Sequence, residues 1–328
     1  MAIFESLSGV YSCMLMISLG YYLTQIKWFN EDVGQLFSKL AMTVTIPLYM
    51  IVSMMKSYSK ADLLNLGAAV IVPLCSLLVL WTIGTVVSKL CNVPDHRRGA
   101  FRAMFFVSNS AFVGIPVNIA LYGDKALPIA VMYYLVQSLL FWTLGAYGLG
   151  LDGPKFARHK GDETADLTAP KIFSQTTLKK ILSPPLIGAS VAIVLILLGA
   201  KLPTFATSTM TYLGGMSTPL AMLFIGIAIY VANLRSVRIS TDMWILVAAR
   251  FLIAPAVTIV ACNLFEVPSF MRNVLIIESS MPIMTQVSIA ARAYKADANY
   301  VAVMTALTTV ISLATIPAYF ILLTYGVL

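Results

Sequence analysis

"SNSAFVGIPVNIALYG", residues 108–123, lies inside a long apolar segment and yet holds Ser108, Asn109, Ser110, Gly114, Pro116 and Asn118. In hydrocarbon, a backbone group freed by Pro or Gly is costly unless something satisfies it. A helix interrupted near Gly114–Pro116 is therefore tolerated only where the break is buried in protein or lines a watered cavity. Hydrocarbon is the solvent that the composition demands. Of 328 residues, 59% are hydrophobic and 11% charged, with a mean hydropathy of +0.87. Soluble domains carry about a quarter charged residues, and this chain has room for about ten spans of some 20 apolar residues each. The composition is that of an integral membrane protein.

Apolar segments bounded by charges, Gly, Pro or Asn fall at 6–25, 33–55, 63–90, 99–122 and 126–150, and again at 181–200, 206–232, 242–264, 270–294 and 299–327. Between the two sets runs a polar stretch, residues 151–180. The N-terminus has neither a basic leader nor a small-residue cleavage site, so it reads as a first span. Cys13, Cys75, Cys91 and Cys262 lie singly, without metal or disulfide spacing, and read as small apolar residues. With the N-terminus outside, sixteen Lys and Arg fall on the inner side and five on the outer, and Arg250 is left inside a span. That bias puts the linker in the cytoplasm and both termini outside. The net charge of +8 is then loop charge at a membrane surface, and nothing points to nucleic acid.

The halves match at one gapless offset. Pro47-Leu48 recurs as Pro219-Leu220, Tyr122 as Tyr294, Ala130-Val131-Met132 as Ala302-Val303-Met304, and Ala146-Tyr147 as Ala318-Tyr319. An odd five-span unit must enter the membrane from opposite sides in its two copies, which gives an inverted repeat. The counterpart of the opening stretch is "ESSMPIMTQVSIAARAY", residues 278–294, with Pro282 flanked by Ser279, Ser280, Thr285 and Gln286. Two polar, Pro-interrupted spans at matching places predict a midplane crossing whose half-helix N-termini hold an anion. The alternative is a pair of Pro kinks packed without any ligand.

The chain resembles the auxin efflux carrier family, which includes plant auxin exporters and bacterial permeases proposed for malate and malonate. The resemblance rests on "SLGYYLTQIKWFNEDVGQLFSKLAMTVTIPLYM", "NSAFVGIPVNIALYG", "YLGGMSTPLAMLFIGIAI" and "ESSMPIMTQVSIAARAY", in order and at the right spacing. It implies a ten-span inverted-repeat fold similar to bile-acid and sodium–proton carriers. Spans 1, 2, 6 and 7 would form a scaffold, and spans 3–5 and 8–10 a transport domain. It also implies that Asn109 contacts a substrate carboxylate and that Gln137 lines the same site. Ile283-Met284 follow Pro282 where the plant exporters have Gln-Gly, so auxin is not carried over as substrate.

Glu278 alone among fourteen acidic residues lies well inside an expected span, and Arg250 is the matching isolated cation. Intramembrane charges are functional candidates by default. Either the two form a structural ion pair, or Glu278 takes part in ion coupling. No adjacent Asp pair, Walker loop or zinc-protease motif is present, and His96 and His159 fall in loops, so neither a paired-carboxylate antiporter nor an enzyme is indicated.

The sequence thus predicts an all-α membrane protein of ten spans in two inverted repeats (1–150 and 181–328), with spans 4 and 9 broken and crossing. Its expected function is secondary transport of a small mono- or dicarboxylate across the cell membrane by elevator-type alternating access. A channel or sensor of the same fold, or an intramembrane enzyme, are the alternatives. The substrate-site candidates are Ser108, Asn109, Ser110, Gly114, Pro116, Gln137, Pro282, Thr285 and Gln286. No cofactor or metal is expected beyond a coupling proton or sodium ion. The expected partners are the bilayer, the carboxylate and, through the scaffold, a second copy of the chain.

Overall fold

The computed structural model describes residues 8–60, 67–162, 184–231 and 240–327, and every regular element among them is helical. The first is α1 (Ser8–Gln25). A bend then leads to α2 (Glu31–Leu40), where the Asn30 side chain caps the first turn by accepting from Val33 N at 3.0 Å. Glu31 and Asp32 at its start and Lys39 at its end complement the helix dipole. A π-helical turn (Ala41–Thr45) joins α2 to α3 (Ile46–Ser57), with Pro47 in the first turn. The wider π turn relieves the proline's missing donor and its ring clash, so one long span survives. α4 is Gly67–Leu90.

α5 (Arg98–Phe106) is followed, after a break, by a π turn (Ser110–Gly114) and α6 (Ile115–Tyr122). α7 (Leu127–Leu140) continues through a third π turn (Phe141–Gly145) into α8 (Ala146–His159). The second half holds α9 (Pro184–Leu197), α10 (Thr204–Gly215) and α11 (Ser217–Val231). It continues with α12 (Thr241–Ala248), a π turn (Ala249–Ile253) and α13 (Ala254–Leu264). α14 (Ser269–Ser279), α15 (Thr285–Ala293) and α16 (Ala298–Thr324) complete it. Six helical stretches among the described residues are long and apolar enough to cross a membrane: Glu31–Lys56, Gly67–Leu90, Asp124–His159, Thr204–Val231, Thr241–Leu264 and Ala298–Thr324.

One boundary moves. The sequence reading opened a polar linker at residue 151, but α8 runs on to His159. Gly153 and Pro154 read as loop punctuation, whereas Asp152 is 1% exposed and accepts from Gly99 N at 2.9 Å and Ala100 N at 2.7 Å. This carboxylate caps the N-terminus of α5 from a neighbouring helix, and that contact outweighs the local break signal. His159 therefore ends a helix, and its ring stacks on that of His96 at 4.1 Å. The rest of the linker, 163–180, lies outside the described residues, as do Arg235 and Arg238.

Packing sorts the helices into two groups. α1 lies along α11, α2 also packs on α11, and α3 packs on α9 and α10. At the α1–α11 crossing the backbones touch: a Cβ at Gly20 would overlap Leu223 O, and one at Gly226 would overlap Ile17 O. Close approach of this kind is how small residues join helices in lipid. In the second group α4 packs on α5, α7 and α13, α5 on α8, α14 on α7 and α13, and α15 on α16. Arg97 ties that group together at one end, 2.8 Å from Asp297 and 4.8 Å over the Tyr300 ring. Between the groups Tyr49 donates to Asp124 Oδ1 at 2.5 Å, and Tyr58 to Lys125 O at 2.9 Å. Elsewhere the groups face each other across an apolar cleft, lined by Cys13, Ile17, Met222 and Ile225 on one side and by Val113, Val117 and Ile316 on the other.

Candidate functional site

Two helical interruptions meet at the centre of the second group. α5 ends at Phe106 and the chain extends through Val107 before helix resumes at Ser110. α14 ends at Ser279, and Ser280–Met284 lead to α15. Ser108 and Ile283 form an antiparallel bridge, and Asn109 N donates to Pro282 O at 2.7 Å. Pro282 thus sits in its break as the sequence indicates. Gly114 and Pro116 do not: the interruption is at Val107–Asn109, and both residues stand inside continuous π-to-α helix. Pro116 falls at the start of α6, just past the π turn, where its ring is accommodated.

A broken span must satisfy the groups it frees, and this one does so with side chains. Gln137 of α7, fully buried, accepts from Ser108 N at 2.7 Å and Ser108 Oγ at 2.8 Å through Oε1. Its Nε2 donates to Ser108 O at 2.7 Å and Ser110 Oγ at 3.1 Å. Ser108, Ser110 and Gln137, all expected to contact substrate, are therefore occupied with one another. On the other interruption, Thr308 Oγ1 of α16 accepts from Ile283 N at 3.1 Å.

Arg250, in the π turn between α12 and α13, is 0% exposed. Its guanidinium donates to Ser279 O at 2.7 Å, Met281 O at 3.1 Å and Phe105 O at 3.3 Å. Phe105 and Ser279 lie at the C-terminal ends of α5 and α14 and Met281 in the break just beyond, so one fixed cation faces two negative dipole ends. The ion pair with Glu278 is not formed; the salt bridges seen are Arg97–Asp297 and Arg98–Asp95, away from this pair. The five donors of a guanidinium are better matched by converging carbonyls than by one carboxylate.

Glu278, also 0% exposed, turns instead to the other half. Its Oε1 accepts from Asn118 Nδ2 at 2.9 Å, and Asn118 Nδ2 also donates to Gly114 O at 3.1 Å. A Cβ at residue 114 would overlap the Glu278 carboxyl, which is why glycine stands there. Asn118 and Thr308 were missed as site residues. Asn118 sits in the opening stretch itself, and its polarity on a buried helix face was the available signal.

The groups left for a ligand lie on the other side of the junction. Asn109, 5% exposed, donates from Nδ2 to Thr285 Oγ1 at 2.9 Å. Gln286 Oε1 is buried without a hydrogen-bond partner among the described residues. Both segments restart as helices here, and the first N–H groups of a helix have no intrahelical acceptor. Two positive helix ends with an amide, a hydroxyl and a second amide can hold a carboxylate without a permanent counter-charge.

A family model described as membrane transport protein matches residues 3–320. An uncharacterized transporter of Methanocaldococcus jannaschii is 25% identical over 312 residues, covering 92% of this chain and 94% of its own. An uncharacterized transporter of Methanothermobacter thermautotrophicus is 23% identical over 327 residues, covering 97% of this chain and 98% of its own.

Proposed function

Because the chain belongs to the membrane transport protein family, which is the auxin efflux carrier family its motifs resemble, we propose that it carries a small mono- or dicarboxylate across the cell membrane. At the coarser level the chain is a multi-pass membrane transporter and not an enzyme. The observation that carries the anion reading is the pairing of two interrupted helices through Ser108 and Ile283, with Asn109, Thr285 and Gln286 at the restarting ends.

The fold is a ten-span inverted repeat, with 1–150 and 181–328 as its halves and the linker in the cytoplasm. α1, α2–α3, α9 and α10–α11 are the scaffold, through which a second copy would pair, and the remaining helices move against it as an elevator. The apolar cleft between the groups supports this reading, since greasy surfaces slide without a long row of polar bonds to break.

The test is counterflow of labelled mono- and dicarboxylates in proteoliposomes. Asn109→Ala should weaken substrate binding by about 1.5–3 kcal/mol, the range for a hydrogen bond to a charged group, while thermal unfolding is unchanged. A folded Asn109→Ala protein that binds and exchanges like the wild type would put the site elsewhere.

A further inference from the structure

We propose that Glu278 is a proton-binding site of the transport cycle, and that the proton and the substrate anion bind cooperatively, so that the two move in the same direction. The inference rests on the carboxylate reading of the junction and adds the coupling ion to it.

Glu278 is fully buried and touches no cationic side chain among the described residues. Of the ionisable groups on the elements packed around α14, the Tyr133 phenol of α7 acts on it, and Arg250 spends its guanidinium on the backbone carbonyls of Ser279, Met281 and Phe105 without an ion pair to the carboxyl. α4, α6, α13 and α16 bring no charged group into contact with it. An ionised carboxylate so placed lacks both water and counter-charge, which is prohibitively expensive. A neutral carboxyl costs far less there: Oε1 accepts from Asn118, and Oε2, left without a strict hydrogen bond but beside the Ser110 hydroxyl, is the oxygen free to carry the proton.

A bound metal cation is the competing way to neutralise the group, and the geometry disfavours it. Asn118 Nδ2 faces two acceptors, Gly114 O and Glu278 Oε1, so the amide presents its donor to the carboxyl. Among the described residues no group of three or more His, Cys, Asp or Glu side chains gathers to hold a metal ion. The carboxyl also lies against the bare Cα of Gly114, which closes that side of it to an ion.

Coupling follows from position. Glu278 is pressed on the π turn Ser110–Gly114, whose first residue follows Asn109. An ionised Glu278 would repel an anion at that helix end through a low-dielectric interior, whereas a neutral one does not. Protonation therefore favours substrate binding, and by linkage substrate favours protonation. The proton enters from the side to which the site is open, is held on Oε2 during the movement, and returns to water on the other side with the anion.

Infrared difference spectroscopy of the purified protein reads the proton without any substrate. The wild type should show the carbonyl stretch of a protonated carboxyl, shifted in Glu278→Asp and lost in Glu278→Gln, which keeps the acceptor for Asn118. In proteoliposomes, wild-type substrate affinity should fall as pH rises, and an inward-acid gradient should drive accumulation. Glu278→Gln should keep exchange, lose the pH dependence of affinity and fall to the no-gradient level of accumulation. Absence of the Glu278 band, accumulation unchanged in Glu278→Gln, or a sodium-induced thermal shift abolished by Glu278→Gln would each overturn the proposal. Failure of every carboxylate in wild-type counterflow would instead defeat the anion reading, and the spectrum would still decide the proton.

Discussion

Gln137 engages four hydrogen-bonding partners, all on Ser108 and Ser110. A side chain so committed shapes the break in the fourth span and has nothing left to offer a ligand. Gln137→Leu should therefore strand a buried N–H and C=O of Ser108 and lower stability by about 1–3 kcal/mol per group, read as thermal unfolding in detergent. A substrate contact would show the opposite pattern, with lost affinity and an unchanged melting temperature. The sequence marked Gln137 as belonging to this neighbourhood but not what it does there. Polarity in an apolar helix reveals that a residue has a partner, whereas the identity of the partner depends on where the opposing backbone breaks. Asn109 differs: its place at the break was readable from the sequence, its amide reaches Thr285 of the other half, and its use as a substrate contact is a proposal that rests on the family resemblance.

Helix ends explain why Arg250 can be tolerated at zero exposure. α5 and α14 both point their last carbonyls inward, and the guanidinium is the only side chain with enough donors in a fixed fork to answer both. Arg250→Lys should keep the charge but lose the second helix end, giving a protein of intermediate thermal stability. Arg250→Gln should lose more, about 1–3 kcal/mol for each carbonyl left unpaired, and equal stability of the two variants would argue against the dipole account. The sequence exposed Pro282 as a breaker and misplaced the other break, because Gly and Pro look alike whether they interrupt a helix or sit in it. Gly114 answers to the Glu278 carboxyl, more than 160 residues away in the chain, and no local pattern carries that information. The π turns at Ala41–Thr45, Phe141–Gly145 and Ala249–Ile253 are equally silent in the sequence, since one extra residue per turn leaves composition unchanged.

Over the whole molecule, the long apolar segments were legible because lipid imposes a length and a composition that few other settings do, and helices occupy them. The end of α8 was not, since Asp152 is polar by type and buried only because α5 needs a cap. The proposed orientation rests on charge alone: a C-terminal reporter active only in the cytoplasm should stay silent, and a strong signal would exclude the proposed pairing of inverted halves. The Tyr49–Asp124 bond spans the two packed groups on the side to which α6 leads. If the groups move against each other as proposed, a latch on one side lengthens the dwell time there, and the carrier idles in one posture when no substrate is present. Hydrogen bonds to charged groups are worth about 1.5–3 kcal/mol, enough to bias that resting occupancy by roughly tenfold or more. Tyr49→Phe should even out the two postures, visible as more equal labelling of inward- and outward-facing cysteine probes.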